Sequence, residues 1–337
     1  MTMPRFVRHA VLATLTVIAF GVGVVSSALY QYQVVPLHQD SKPRRLVIPL
    51  GSGPAAIAMA LERAGMTVPA SRLSVIVRLR GDASRYRAAL YDVMPGQSLK
   101  GVLDAMARGE GQPAMVRIVE GLTFRQVREL VDNHPHLSAD ARALDEPTLL
   151  ARIGATFSSA EGLFLPDTYH FAPGSSALNV YRDAWRAMDR LLQKEWANRS
   201  ANLPIESAYQ ALVLASIIEK ETGRAEDRAM IASVFVNRLR KGMMLQSDPT
   251  TLYALGPAFE GRLRRRDLQL DHPHNTYMRT GLPPTPIALP GRGAIEAALR
   301  PAESSALFFV ARGDGSTEFS LDLKAHNRAV ERFILKR

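Results

Sequence analysis

A carboxylic acid that gives up a proton near neutral pH needs an apolar seat, and the run LASIIEKETG, Leu214 to Gly223, places a glutamate on one. Read back along a helix from Glu221, positions i−3, i−4 and i−7 are Ile218, Ile217 and Leu214, so the side chain shares an apolar face whose desolvation raises its pKa. Glu219 lies instead over Ser216, Ala215 and Leu212, a smaller and more polar surround, which makes Glu221 the better acid. Thr222 and Gly223 stop the helix. The competing reading is that both glutamates only dress the last turn of an amphipathic helix.

Hydrogen-bonding residues gather downstream. Gln246, Ser247 and Asp248 precede Pro249, and Asn275, Thr276 and Tyr277 lie in an irregular stretch; their groups suit sugar hydroxyls and acetamides. Plainer roles compete. Asp before Pro commonly caps a helix, and Asn275 with Tyr277 can simply pin a loop. Glu161 and Asp167, in EGLFLPDTYHF, fit a turn around Pro166, while His326 and Asn327 fit core packing or hydrogen bonding in the last helix. Of the eight histidines, His134 with His136 and His272 with His274 flank prolines and lack a carboxylate grouping at ligand spacing, so no metal site is expected.

The chain has no cysteine, which excludes disulfides and thiol nucleophiles, and its formal charge is +10. The basic cluster Arg262, Arg264, Arg265 and Arg266 has no interleaved aromatics and no helix-turn-helix pattern, so it reads as a solvated face and nucleic acid is not expected as a partner.

The elements that must position these residues follow from patterning. Ala10 to Tyr30 carries no charge and is long enough to cross a bilayer once. Arg5 and Arg8 precede it and no Lys or Arg follows until Lys42, which puts the N-terminus in the cytoplasm. A cleaved signal peptide, with Ser26 to Ala28 as the cleavage site, is the alternative. Between about residues 44 and 132, strand, glycine turn and amphipathic helix recur in RRLVIPLGSG with PAAIAMALERAG, YDVMPGQ with SLKGVLDAMARG, and VRIVEG with LTFRQVRELVD. Pro54, Ser98 and the Thr123/Gln126 capping box mark the helix starts. A polar connection runs from about 133 to 160. Helices are expected over 204–222 and 225–241, then a Pro- and Gly-rich stretch over 263–291 that could wall a cleft. A hairpin turns at Gly313 to Gly315, and a last helix covers about 323–335. The class is α+β, in three parts: residues 1–30 a cytoplasmic tip and membrane anchor, 31–132 a strand and helix module, and 133–337 the domain carrying Glu221.

The runs EGLFLPDTYHF, LASIIEKETG, FVNRL, LQSDPT, NTYMRTGLPPTPIALPG and SLDLKAHN, in this order, resemble the endolytic murein transglycosylase family, the YceG-like membrane-bound lytic transglycosylases, from about residue 45 to the C-terminus. The resemblance implies that Glu221, as the second glutamate of the EKE run, is the catalytic acid. It implies cleavage between N-acetylmuramic acid and N-acetylglucosamine in peptidoglycan glycan strands, with closure of a 1,6-anhydro ring and no metal or organic cofactor. It further implies a LysM-like glycan-binding region in residues 31–132, single-pass anchoring in the inner membrane with a periplasmic catalytic domain, and peptidoglycan synthases as neighbours. Without the resemblance, a tethered wall-binding or scaffold protein is the reading from another class. Three positions depart from the family pattern: AALYDV, Ala88 to Val93, replaces a glycine-threonine-tyrosine turn, Thr285 stands where glycine is common, and Leu289 where asparagine is common.

Overall fold

The computed structural model describes residues 5–335. The first four residues of the expected cytoplasmic tip lie outside the described residues. Contacts divide the chain into two compact units, one holding the described chain up to Met115 together with His170–Ser175, the other Val116–Tyr169 and Ser176 onward.

In the first unit, α1 (Arg5–Gln33) is a single 29-residue helix, which at ~1.5 Å per residue outreaches the ~30 Å apolar core of a bilayer. Phe6–Gln33 has mean hydropathy 2.1 and buries none of its apolar window against protein, so it has the length and composition of a membrane span or a signal sequence. After it come β1 (Arg44–Ile48), α2 (Pro54–Arg63), α3 (Ala70–Arg80), β2 (Ala89–Val93) and α4 (Leu99–Arg108). β1 and β2 pair antiparallel, with Leu46 opposite Tyr91 and Ile48 opposite Ala89. The period of two sends these residues to one face, where Ile57, Leu61, Leu73, Leu103 and Met106 close a core. Pro54 opens α2, and Ser98 caps α4 by accepting from the Gly101 N–H at 3.4 Å.

The remaining elements are β3 (Ala114–Ile118), α5 (Phe124–Asp132), β4 (Leu137–Ser138), α6 (Glu146–Ile153), β5 (Asp167–Phe171), β6 (Ser175–Ser176), α7 (Ala177–Ala197), α8 (Ala208–Glu221), α9 (Ala225–Arg240), α10 (Asp248–Leu255), α11 (Arg292–Leu299), β7 (Phe308–Ala311), β8 (Thr317–Ser320) and α12 (Leu323–Phe333). The capping box at Thr123 and Gln126 forms as its sequence requires. By contacts, α5 lies in the second unit, whereas the first two strand and helix copies share the core of the first.

The centre of the second unit is α8. Ala211 to Ile218 are all buried, so this helix is enclosed on every side rather than amphipathic. α11 packs against it, with Ala294, Ile295, Ala298 and Leu299 at 0% exposure. Ser207 caps α8 at the Gln210 N–H, which starts it three or four residues later than periodicity alone suggests. The β7–β8 hairpin turns at Gly313 to Gly315, pairing Phe308 with Ser320, and α12, capped by Asp322, packs on β7.

Candidate active site

Glu221 ends α8, and Thr222 leaves the helix in an extended conformation. The half-buried side chain holds its Oε1 2.5 Å from Ser247 Oγ, which donates to it. Burial pushes the Glu221 carboxyl up to about 7; the Ser247 hydrogen bond opposes the rise, Asp248 adds to it, and Arg238 opposes it. A carboxyl poised there can both give and take a proton near neutral pH.

Ser247 stands at the N-cap of α10, the place where a serine normally accepts from the helix. It makes no such cap. Its hydroxyl is turned to Glu221, and its backbone N–H donates to Thr276 Oγ1 at 3.0 Å. Thr250 Oγ1 links Ser247 O (2.7 Å) with Thr276 Oγ1 (2.8 Å), so a buried threonine pair fixes the serine. Gln246 takes a left-handed φ of 49°, rare for a residue with a Cβ, and donates its N–H to Thr276 O. Asp248 is the first residue of α10 and not its cap, which corrects the capping expectation; its Oδ1 accepts from Tyr277 Oη at 2.6 Å.

Glu221, Gln246, Asp248 and Tyr277 line one cavity of about 320 Å³. Asn275 does not line it. Its side chain is fully buried, accepting at Oδ1 from Thr251 Oγ1 and the Tyr277 N–H, and donating from Nδ2 to Leu268 O and Leu270 O. With its amide spent on the chain, Asn275 holds Tyr277 in place, and the expectation of a sugar contact from it is corrected. Ser247, also buried, reaches the site through Glu221.

Three cavity residues escape a reading led by polar loops. Arg238, inside FVNRL, is buried and bound to carbonyls, Nε to Leu307 O at 2.7 Å and Nη1 to Leu245 O at 2.8 Å, with its guanidinium over the Phe308 ring. Burial holds it below the usual guanidinium range. Phe308 comes from the hairpin, and His326 stacks on it at 5.2 Å. Burial also lowers the His326 pKa, so this ring of the last helix borders the cavity as neutral imidazole.

Glu219 has a different occupation. Its side chain is 6% exposed; Oε2 accepts from the Gly291 N–H, the N-cap of α11, at 2.9 Å, and Oε1 lies 3.8 Å from Arg228. Leu212, Ala215 and Ser216 beneath Glu219 are smaller and more polar than Leu214, Ile217 and Ile218 beneath Glu221, but equally buried. What separates the two glutamates is the group each carboxylate meets. Burial raises the Glu219 pKa as well, against the Gly291 hydrogen bond.

Glu161 is no simple turn residue. It is 5% exposed, accepts from the Phe124 N–H at 2.9 Å and from Tyr253 Oη at 3.2 Å, and burial pushes its carboxyl up to about 7. The turn falls to Gly162, whose φ of +79° and contact with Pro286 leave no room for a Cβ. Asp167 is exposed and bonds the adjacent Thr168 N–H. Arg262, Arg264, Arg265 and Arg266 are all exposed, and among the described residues no group of three or more metal-ligating side chains gathers. Leu289 is buried and bonds through its backbone to Gly121 and Leu122.

A desolvated glutamate beside a cavity edged by aromatic and hydrogen-bonding side chains is an arrangement suited to acid–base chemistry on a polar ligand. The chain belongs to the YceG-like family, whose model matches residues 46–332. It is 31% identical over 318 residues to the endolytic murein transglycosylase of Bacillus subtilis strain 168, covering 89% of this chain and 87% of that one. A second endolytic murein transglycosylase, from Streptococcus pneumoniae serotype 2 strain D39, is 29% identical over 343 residues, and the match spans 90% of this chain but 62% of that longer one. A 2.6 Å crystal structure of a YceG-like protein from Listeria monocytogenes superposes with a TM-score of 0.58 at 32% identity, covering 86% of this chain and 99% of that one.

Proposed function

We propose that this chain is an endolytic murein transglycosylase, a lyase that cuts the bond between N-acetylmuramic acid and N-acetylglucosamine inside peptidoglycan strands and leaves 1,6-anhydromuramyl ends. The observation that carries the reading is the Glu221 carboxyl, held by Ser247 at the cavity with a pKa pushed up to about 7. In the first step the protonated carboxyl gives its proton to the glycosidic oxygen, the C1–O bond breaks with its electron pair going to that oxygen, and an oxocarbenium-like centre develops at C1 of the muramyl unit. The resulting carboxylate takes the proton of the C6 hydroxyl as O6 bonds to C1, which closes the anhydro ring and restores the acid. One group serves both steps because the first leaves it as the base for the second. Ser247 supports the carboxylate between them, and Gln246, Asp248 and Tyr277 are assigned to the sugar. Incubating the protein with purified glycan strands is expected to give anhydro ends by mass spectrometry. Products heavier by one water would establish a hydrolase instead, and wall binding without products a scaffold.

In this reading residues 1–30 are the anchor, with the N-terminus cytoplasmic and the remainder periplasmic, as the Arg5 and Arg8 flank argues. A C-terminal reporter that works only outside the cytoplasm is expected to be active on membranes; a soluble mature form starting near Gln31 would show cleavage instead. Residues 31–132 act as a LysM-like wall-binding module before the catalytic part, 133–337. The paired β1 and β2 covered by α2 and α3 support this reading. Deleting residues 31–115 is expected to release the protein from insoluble sacculi, and unchanged retention would reduce the module to a spacer. An enzyme that frees nascent strands belongs beside the synthases that make them, which co-purification from detergent extracts would detect.

A further inference from the structure

A second cavity of the second unit, about 780 Å³ and larger than the one at Glu221, does not contain that residue. Its wall is built by α10, the stretch 272–274, and the Glu161 carboxyl. The two cavities are neighbours across two pairs of consecutive residues: Lys220 and Pro249 line the larger, Glu221 and Asp248 the smaller. Consecutive Cα atoms lie ~3.8 Å apart, so the backbone carrying Glu221 and Asp248 also borders the larger cavity.

Its lining suits a saccharide. The rings of Tyr253 and His274 lie 4.9 Å apart and those of His274 and His272 5.4 Å apart, giving a continuous run of ring surface next to apolar Leu252 and Ile287. His274 Nε2 and Thr285 Oγ1 share a hydrogen bond at 2.8 Å, and Thr285 Oγ1 also lies 3.1 Å from Pro286 O. Nδ1 is buried and has no hydrogen-bond partner among the described residues. Burial lowers the His274 pKa to about 4, which keeps the ring uncharged at neutral pH.

We propose that the larger cavity is a saccharide subsite that holds N-acetylated aminosugar units of the glycan strand on one side of the bond at Glu221, stacking them on Tyr253, His274 and His272. The proposal rests on the reading of Glu221 as the cutter of such strands. An internal cut needs grip on both sides of the bond, and the Glu221 cavity alone is at the small end of ligand sites.

Leu252 lines the cavity at 41% exposure, so Leu252→Trp obstructs it without entering the core. In the full chain, this variant is expected to raise KM for long glycan strands about tenfold while kcat changes less than threefold. Unchanged KM, or a loss confined to kcat, would overturn the subsite. Binding is tested apart from turnover with N-acetylglucosamine tetramer and full-length Glu221→Gln protein, where adding Leu252→Trp is expected to weaken affinity about tenfold; equal affinity overturns the proposal. Hydrogen exchange provides a check that needs no cavity variant: the tetramer should protect residues 249–257 and 272–276, and protection confined to the Glu221 cavity would overturn the assignment. If wild-type protein forms no anhydro ends, the reading of Glu221 fails, while the tetramer measurements still decide the subsite.

Discussion

Glu221→Gln is expected to abolish formation of anhydromuramyl ends while the protein keeps its fold. Glutamine preserves the shape of the side chain and a carbonyl that can still accept from Ser247 Oγ, but it can neither deliver a proton to the glycosidic oxygen nor recover one from the C6 hydroxyl. A general acid–base group contributes roughly 100- to 10,000-fold, and losing both roles at one residue falls at the upper end or beyond. Glu219→Gln is the matched control. Its amide oxygen can still accept from the Gly291 N–H, but the negative charge facing Arg228 is lost, so activity should stay within about tenfold and the melting temperature should fall. Glu219→Ala goes further, leaving the Gly291 N–H unpaired at the start of α11, and is expected to cost on the order of 1–3 kcal/mol. Mass spectrometry of strand ends and thermal melts on the three variants separate the roles. An active Glu221→Gln protein beside an inactive, well-folded Glu219→Gln protein would show that the wrong glutamate had been chosen.

The position of Glu221 at the end of an apolar helix was legible in the sequence, but its surroundings were only partly so. Periodicity places Ile217 and Ile218 under Glu221 and makes the last turn of α8 the seat of an acid. It cannot show that α8 is buried all round, because a helix enclosed by α7, α9 and α11 owes its surroundings to segments distant in the chain. The diverted cap at Ser247 was hidden for the same reason: LQSDPT reads as a helix start, and only the fold brings Glu221 close enough to take the hydroxyl. The hairpin, by contrast, is local chemistry, with Gly313 and Gly315 between aromatic and β-branched runs, and so are the caps at Ser98 and Thr123. α7 carries a plain helical period in Val180, Tyr181, Ala184, Met188 and Leu191, yet holds no motif, so a reading led by chemistry passes over it. α6 is eight residues long and sits in a polar stretch, too short for periodicity to mark. Arg238 and His326 were visible as motif letters, but their place beside Glu221 depends on how β7 and α12 return to α9.

The same desolvation that equips Glu221 for catalysis should make it a pH-dependent burden on stability, and Glu221→Gln should remove that burden. In the unfolded chain the carboxyl ionises around its ordinary 4.5, whereas in the folded chain it holds its proton to about 7. Between those values the folded state binds more protons than the unfolded one, so stability contributed by this group falls as pH rises from about 4.5 and is fully lost above about 7. At roughly 1.4 kcal/mol per unit, the span amounts to about 3 kcal/mol. Glu161, pushed up for the same reason, adds a loss of the same sign in wild-type protein and variant alike, so their difference isolates Glu221. Thermal melts of the two proteins should therefore nearly coincide at pH 4.5, apart from a constant offset for the altered bond to Ser247, and diverge as pH rises, with the glutamine protein several degrees more stable by pH 8. A difference that stays flat across that range would mean that Glu221 ionises like a surface glutamate, and the acid needed for the first step of cleavage would have to come from elsewhere.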